Sequence, residues 1–253
     1  AALARRAPQL AKLLVGGNFE LGCSGVNALI KGLPDKNVLD EVGLQECGLR
    51  VGPGGRAVAA LARKAGSLQR LSLEGNFEFG VPGLRALALA LPQQNAIKEV
   101  GMQACRVHGT EGGRALAQFA QRATALEKLS LSTDPQAFEP VDNFWGGQEL
   151  EPEGLGSLAQ DLSETSGLKT LDLQANGLMG AECGRSLATL LKRATALESL
   201  YFDDNYIGHA GLESLVRDLP DSSKIRTLSL QEVGLVGEPG GHLVGRLAAA
   251  LSQ

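Results

Sequence analysis

Apolar residues at Leu10, Leu39, Leu68, Ile97, Leu126, Leu168, Leu197 and Ile225 each open the same run of hydrophobic and polar positions, LxxLxLxxN. A short glycine-bearing loop and an LxxxL segment follow. The starts are 29, 29, 29, 29, 42, 29 and 28 residues apart, so eight copies lie in phase. Those at 69–76 (QRLSLEGN), 127–134 (EKLSLSTD), 169–176 (KTLDLQAN) and 198–205 (ESLYFDDN) are the clearest. Alternation in LxL turns its leucines to one face, as in a half-buried strand, whereas LxxxL filled with Ala, Arg and Gly has helical spacing. A strand–loop–helix unit cannot bury its apolar side alone, so its neighbours must stack on it. The pattern therefore predicts an α/β solenoid with a parallel β-sheet on the inner curve and α-helices outside. Strands need only about 4.8 Å between neighbours and helices about 8–10 Å, so stacking bends the array into a horseshoe.

A second period lies over the first. The residue closing the strand motif runs Asn18, Cys47, Asn76, Cys105, Asp134, Asn176, Asn205, Val233. Segment ends alternate as well: LPDK, LPQQ and LPDS close the first, third and seventh helices, and LARKAGSL, FAQRATAL and LLKRATAL close the others between. The unit is thus a pair of about 58 residues. Side-chain amides in the Asn column are expected to bond backbone groups where the strand turns away. Cys47 and Cys105 take the equivalent place as small buried thiols, two strands apart and too distant for a disulfide. Val233 is expected to leave its loop without a polar partner. The opening segment LARRAPQL matches the second kind of ending, so residues 1–9 read as the tail of a helix whose strand lies upstream, and the chain as a fragment of a longer protein.

This alternation of Asn and Cys units resembles the ribonuclease-inhibitor subfamily of leucine-rich repeats, in which units of about 28 and 29 residues alternate. The resemblance covers nearly the whole chain and extends to the repeat regions of NOD-like receptors and to the activating protein of the Ran GTPase. It implies one leucine-rich-repeat domain over residues 1–253 and a non-catalytic protein-binding or scaffold role. It also supplies two alternatives: GTPase activation, for which the loop arginines Arg50 and Arg106 are the candidates, and the sensing part of a NOD-like receptor.

Composition narrows the picture. Aromatics are 4% of residues against 43% hydrophobic, so the core must be built from Leu, Ala and Val. Twenty-four basic and 28 acidic residues leave a net charge of -4 with no basic block, which disfavours nucleic acid. No apolar run approaches the roughly 18 residues of a membrane helix, so no direct membrane insertion is expected. Four cysteines without a CxxC pair, and eight asparagines of which none begins Asn-x-Ser/Thr, favour an intracellular, cytoplasmic compartment.

Motifs that look chemical dissolve into the repeat. Gly52, Gly54 and Gly55 lie between a strand and a helix like a phosphate loop. Glycine recurs at the matching place as Gly25, Gly83, Gly112, Gly154, Gly211 and Gly240, however, and no GxxxxGK[ST] occurs. His108, His209 and His242 fall in different repeats without metal-ligand spacing, and there is no GxSxG elbow. No catalytic residue, cofactor or metal is expected.

Residues between the strand leucines should face the inner curve on a rigid backbone, the natural surface for a protein partner or a larger assembly. The candidates are Arg70 and Glu74, then Lys98 and Gln103, then Lys128 and Asp172, and finally Tyr201, Asp203 and Asp204. The last two form an acidic patch suited to a basic segment. The fifth unit carries 13 extra residues, an inserted loop within 135–153 holding Phe138, Phe144 and the single Trp145. Aromatic anchors in a long insertion suggest a partner contact; the alternative is that Phe144 and Trp145 tuck onto neighbouring helices.

Overall fold

The computed structural model describes residues 9–132, 150–220 and 223–252. Eight strands lie among them: β1 (Lys12–Leu14), β2 (Glu41–Gly43), β3 (Arg70–Ser72), β4 (Glu99–Gly101), β5 (Lys128–Ser130), β6 (Thr170–Asp172), β7 (Ser199–Tyr201) and β8 (Thr227–Ser229). Each begins two residues after one of the eight apolar starts. The helices between them are α1 (Gly22–Gly32), α2 (Val51–Lys64), α3 (Gly80–Ala90), α4 (Gly109–Arg122), α5 (Glu151–Asp161), α6 (Gly180–Arg193), α7 (Gly208–Asp218) and α8 (Gly237–Leu251).

The strands form one open parallel sheet in chain order. Equivalent residues stand opposite each other throughout, as in Val42 against Leu71 and Leu129 against Leu171. The 42-residue step of the fifth unit leaves that register intact. Most of the 135–153 insertion lies outside the described residues, and 151–153 already form the first turn of α5. Two leucine-type columns from each strand meet the helices in a continuous core. Val42, Leu71, Val100, Leu129, Leu171 and Leu200 fill one; Leu44, Leu73, Met102, Leu131, Leu173 and Phe202 fill the other. Scarce aromatics are spent here, since Phe79, Phe119 and Phe202 are fully buried.

The two-repeat period takes physical form in the helices. Those of the first, third, fifth and seventh units have 11 residues; those of the second, fourth and sixth have 14, and α8 has 15. Pro34, Pro92 and Pro220 explain three of the early endings, because a residue before proline is pushed out of the helical region. Leu33, Leu91 and Leu219 are accordingly extended. Each long helix packs tightly on the short helix that follows, α2 on α3, α4 on α5 and α6 on α7. Glycine allows it: a Cβ on Gly55 would run into Gly83 O, and one on Gly184 into Gly211 O. The glycines that imitate a phosphate loop are therefore places where helices touch.

The Asn column does the backbone work its position predicts. Asn76 Oδ1 accepts from the amides of Cys47 (3.1 Å) and Leu49 (2.9 Å), and Nδ2 donates to Leu44 O (2.8 Å) and Leu73 O (2.6 Å). Asn205 repeats this with the amides of Asn176 and Leu178, both at 3.0 Å. Cysteine is more than filler. Cys47 Sγ donates to Val15 O (3.2 Å) and Cys105 Sγ to Leu73 O (3.1 Å), the carbonyl bond that an Asn amide makes elsewhere. Burial pushes the Cys105 thiol up to about 12, which keeps its proton available for that bond. All four cysteines are free. Val233 lacks the amide, and its carbonyl accepts from Gly208 N (3.0 Å).

Candidate functional site

The inner face is made of columns rather than strands. With units stacked in register, each sequence offset becomes a line of side chains crossing the sheet, and neighbours in a line are close enough to pair or repel. The offset that starts each strand reads Lys12, Glu41, Arg70, Glu99, Lys128: alternate charges in successive strands. One residue earlier the line reads Lys98, Glu127, Lys169, Glu198, Arg226, alternating again in the later half. Ion pairs follow both lines. Glu41 binds Lys12 and Arg70, each at 2.9 Å, and Arg70 also reaches Asp40 at 3.4 Å. Lys169 pairs with Glu127 (3.1 Å) and Arg226 with Glu198 (4.0 Å). The Glu41 carboxyl is held below its ordinary value, first by the bond from Lys12 and then by that from Arg70. Like charges stacked in one column would repel, so alternation lets a charged surface persist on a tightly spaced sheet.

A second system runs beside the ladders. Gln103 Nε2 donates to Ser130 Oγ (2.9 Å), and Ser130 Oγ donates to Asp172 Oδ2 (2.9 Å). Gln174 carries it onward, its backbone amide to Asp172 Oδ1 (3.2 Å) and its Nε2 to Asp203 Oδ2 (2.7 Å). Asp203 Oδ1 accepts from Gln231 N (2.7 Å). Side chains of four successive units are thereby fixed relative to one another, and the backbone amide of Gln231 ties them to a fifth. At the near end of the chain stands Glu74, whose carboxyl burial pushes above its usual range.

The sequence-selected residues sort as follows. Arg70, Glu74, Gln103, Lys128, Asp172 and Tyr201 all lie on these strands or directly after them, and Glu74, Gln103, Lys128 and Asp172 border one depression between β3 and β6 with Arg70. Lys98 and Lys128 are exposed, and Tyr201 is half-buried. Asp203 differs from its expected place in an open acidic patch: it is 6% exposed, and both its oxygens are engaged within the chain. Asp204 beside it is exposed on a left-handed turn residue (φ 57°). Phe138, Phe144 and Trp145 lie outside the described residues. Arg50 pairs with Glu78 at 3.3 Å on the surface.

Sequence reasoning missed Ser130 and the glycines of the strand face, Gly43 and Gly101. Both omissions came from reading along each strand; the charge alternation and the glycine gaps show when one offset is read across all units. Among the described residues no group of three or more His, Cys, Asp or Glu is placed to hold a metal ion. No helix among them is long and apolar enough to cross a membrane.

No protein-family model matches the chain. Among curated proteins, the ribonuclease inhibitor of Sus scrofa is 28% identical over 232 residues, 90% of this chain and 47% of the relative. NACHT, LRR and PYD domains-containing protein 12 of Mus musculus is 30% identical over 215 residues, 83% of this chain and 19% of the relative. The chain thus spans less than half the length of these relatives. Among solved structures, the leucine-rich-repeat-containing protein LegL7 of Legionella pneumophila superposes with a TM-score of 0.57 at 16% identity, covering 94% of this chain and 72% of that one. That likeness shows the fold.

Proposed function

We propose that this chain, a ribonuclease-inhibitor-like leucine-rich-repeat solenoid, is a non-catalytic module that binds a protein partner on its concave face. Leucine-rich repeats commonly serve protein–protein interaction, and the ribonuclease-inhibitor-like relatives are typically binding modules. The observation that carries the reading is the inner face itself. Its side chains are held by strands in register and by hydrogen bonds and ion pairs running from β1 to β8, so little conformational freedom is lost on binding. Lys98, Lys128, Tyr201 and Asp204 offer contacts on that surface. The aromatic insertion, through Phe138, Phe144 and Trp145, is a second contact proposed on composition alone. An intracellular setting suits four free cysteines, three of them buried.

The test is affinity capture with the full-length protein. Lys128→Glu combined with Tyr201→Ala should remove the captured partner, while Arg185→Glu on the outer helix α6 should leave it in place. Retention of the partner by the first variant and loss by the second would overturn the reading.

A further inference from the structure

Where the last three strands turn toward their helices, the chain leaves large apolar side chains in water. Met179 precedes α6, Tyr206 stands two residues before α7 and Val236 precedes α8; they are 55%, 72% and 70% exposed. The three belong to successive units and are stitched along one rim. Gly180 N donates to Tyr206 O (3.3 Å), and the His209 ring meets Val236 O at 3.1 Å. A Cβ built on Gly234 would lie 3.3 Å from the Tyr206 ring, so the tyrosine leans over the turn that leads to Val236. The fold does not ask for apolar groups here. Arg50, His108, Met179 and Val236 all stand extended just before a long helix, and none caps it with its side chain. Polar residues fill that place in the second and fourth units and apolar ones in the sixth and eighth, so packing does not select them. Single exposed apolar residues need no explanation, but neighbouring ones ringed by polar groups mark a contact surface.

The charges around this stretch have one sign. Asp204 and Glu232 sit exposed on left-handed turn residues (φ 57° and 51°), and Glu182 and Glu238 stand exposed in the first turns of α6 and α8. None of the four pairs with a lysine or arginine among the described residues, and Glu238 meets only His242, at 3.3 Å. The same edge of the earlier units is arranged otherwise. There Arg50 answers Glu78, and Arg85 and Arg114 answer Glu111, the residue equivalent to Glu182. Carboxylates at the later units therefore lack the internal cations that balance their counterparts, and a complementary charge has to come from outside the chain.

We propose that the rim from the sixth to the eighth unit docks a basic amphipathic segment of the protein partner. Its apolar side chains cover Met179, Tyr206 and Val236, and its lysines or arginines meet Asp204 and Glu232. The inference rests on the partner-binding reading above and extends it from the concave face to the adjoining edge. The two surfaces are continuous, since Asp204 follows Asp203, which takes Gln174 from one side and Gln231 N from the other. An acidic segment would be repelled by four carboxylates, and a purely apolar one would strip water from them without replacing it, so the rim selects for positive charge beside apolar bulk. Ion pairs at such an exposed edge are screened, so affinity should fall as salt is added.

The probe is an acetylated, amidated peptide of lysines interspersed with leucines, titrated into the purified chain while backbone amides are followed by NMR. Two control peptides each keep half of its chemistry, one with glutamate for lysine and one with serine for leucine. Saturable shifts are expected from the lysine–leucine peptide alone, at the Gly180, Gly208 and Gly234 amides. They should weaken at least tenfold in Met179→Ser with Tyr206→Ser, and likewise in Asp204→Asn with Glu232→Gln. Every replaced side chain is exposed, so both variants should melt with the parent; Val236→Ser alone repeats the apolar test at the far end of the patch. Undiminished affinity in these variants, an equal response to either control peptide, shifts confined to the strand glycines Gly43 and Gly101, or no saturable response would overturn the rim. A captured partner that depends on Lys128 and Tyr201 but tolerates the rim substitutions overturns the rim alone. One lost from the rim variants yet indifferent to Lys128 and Tyr201 supports the rim and overturns the concave-face reading.

Discussion

Replacing Asn76 with alanine tests whether the Asn column holds neighbouring units together. Asn76 is 1% exposed and makes four hydrogen bonds, two accepted from the preceding unit's amides. The substitution strips Cys47 N and Leu49 N of their acceptor in a dry turn. Each buried group left unpaired costs about 1–3 kcal/mol, so the two amides alone imply a loss of roughly 2–6 kcal/mol. Leu73 O keeps the Cys105 thiol as a donor, which tempers the carbonyl side. Against a total stability on the order of 5–15 kcal/mol, such a loss is large. Asn18 gives the internal control: it is exposed and donates one bond, to Val15 O at 2.7 Å, so Asn18→Ala should cost about 0.5–1 kcal/mol. Guanidinium unfolding followed by circular dichroism measures both. Hydrogen exchange at Cys47 and Leu49 then locates the damage, because a stacked array can open between units. Equal small losses at the two positions, or unchanged exchange at those amides, would refute the reasoning.

Three further outcomes follow from the geometry. Gly184→Ala puts a methyl into Gly211 O and should lower stability by more than about 2 kcal/mol, whereas Gly241→Ala in α8, with nothing within 4 Å, should be neutral or stabilising in thermal melts. Burial raises the Cys105 and Cys183 thiols to about 12, so at pH 8 roughly one in ten thousand is thiolate; iodoacetamide on the native chain should label the half-buried Cys23 first, which peptide mass mapping would show. The Glu74 carboxyl has a raised pKa in the folded state, so its contribution is fully present below about 4.5 and is lost as pH rises through the folded value. The ionisable neighbours of Glu74 are the same in both proteins, so the stability difference between Glu74→Gln and the parent should widen in the variant's favour from about pH 4 upward; a flat difference would contradict the assignment.

Much of the fold was legible because one rule repeats eight times. A period of 29 residues with alternation inside it locates a strand wherever it recurs, and Pro34, Pro92 and Pro220 announce the short helices. The closeness of α2 to α3 and of α6 to α7 was not legible, because it depends on glycines from two different units meeting across helices. The binding face was half legible. Which residues face inward follows from the two-residue strand period, so Arg70, Lys128 and Tyr201 could be named. Burial of Asp203 could not, because it comes from Gln174 and Gln231, one strand away on either side. The depression between β3 and β6 needs three units read together: a glycine in one, a glutamate from the unit before it and a serine from the unit after.

Hydrogen-exchange mapping of the chain with its captured protein partner tests the central claim most directly. Protection on binding should fall on the strand-borne rows, around Glu99–Gly101, Lys128–Ser130 and Ser199–Tyr201. Protection confined to the outer helices, with those strands exchanging as in the free chain, would contradict it.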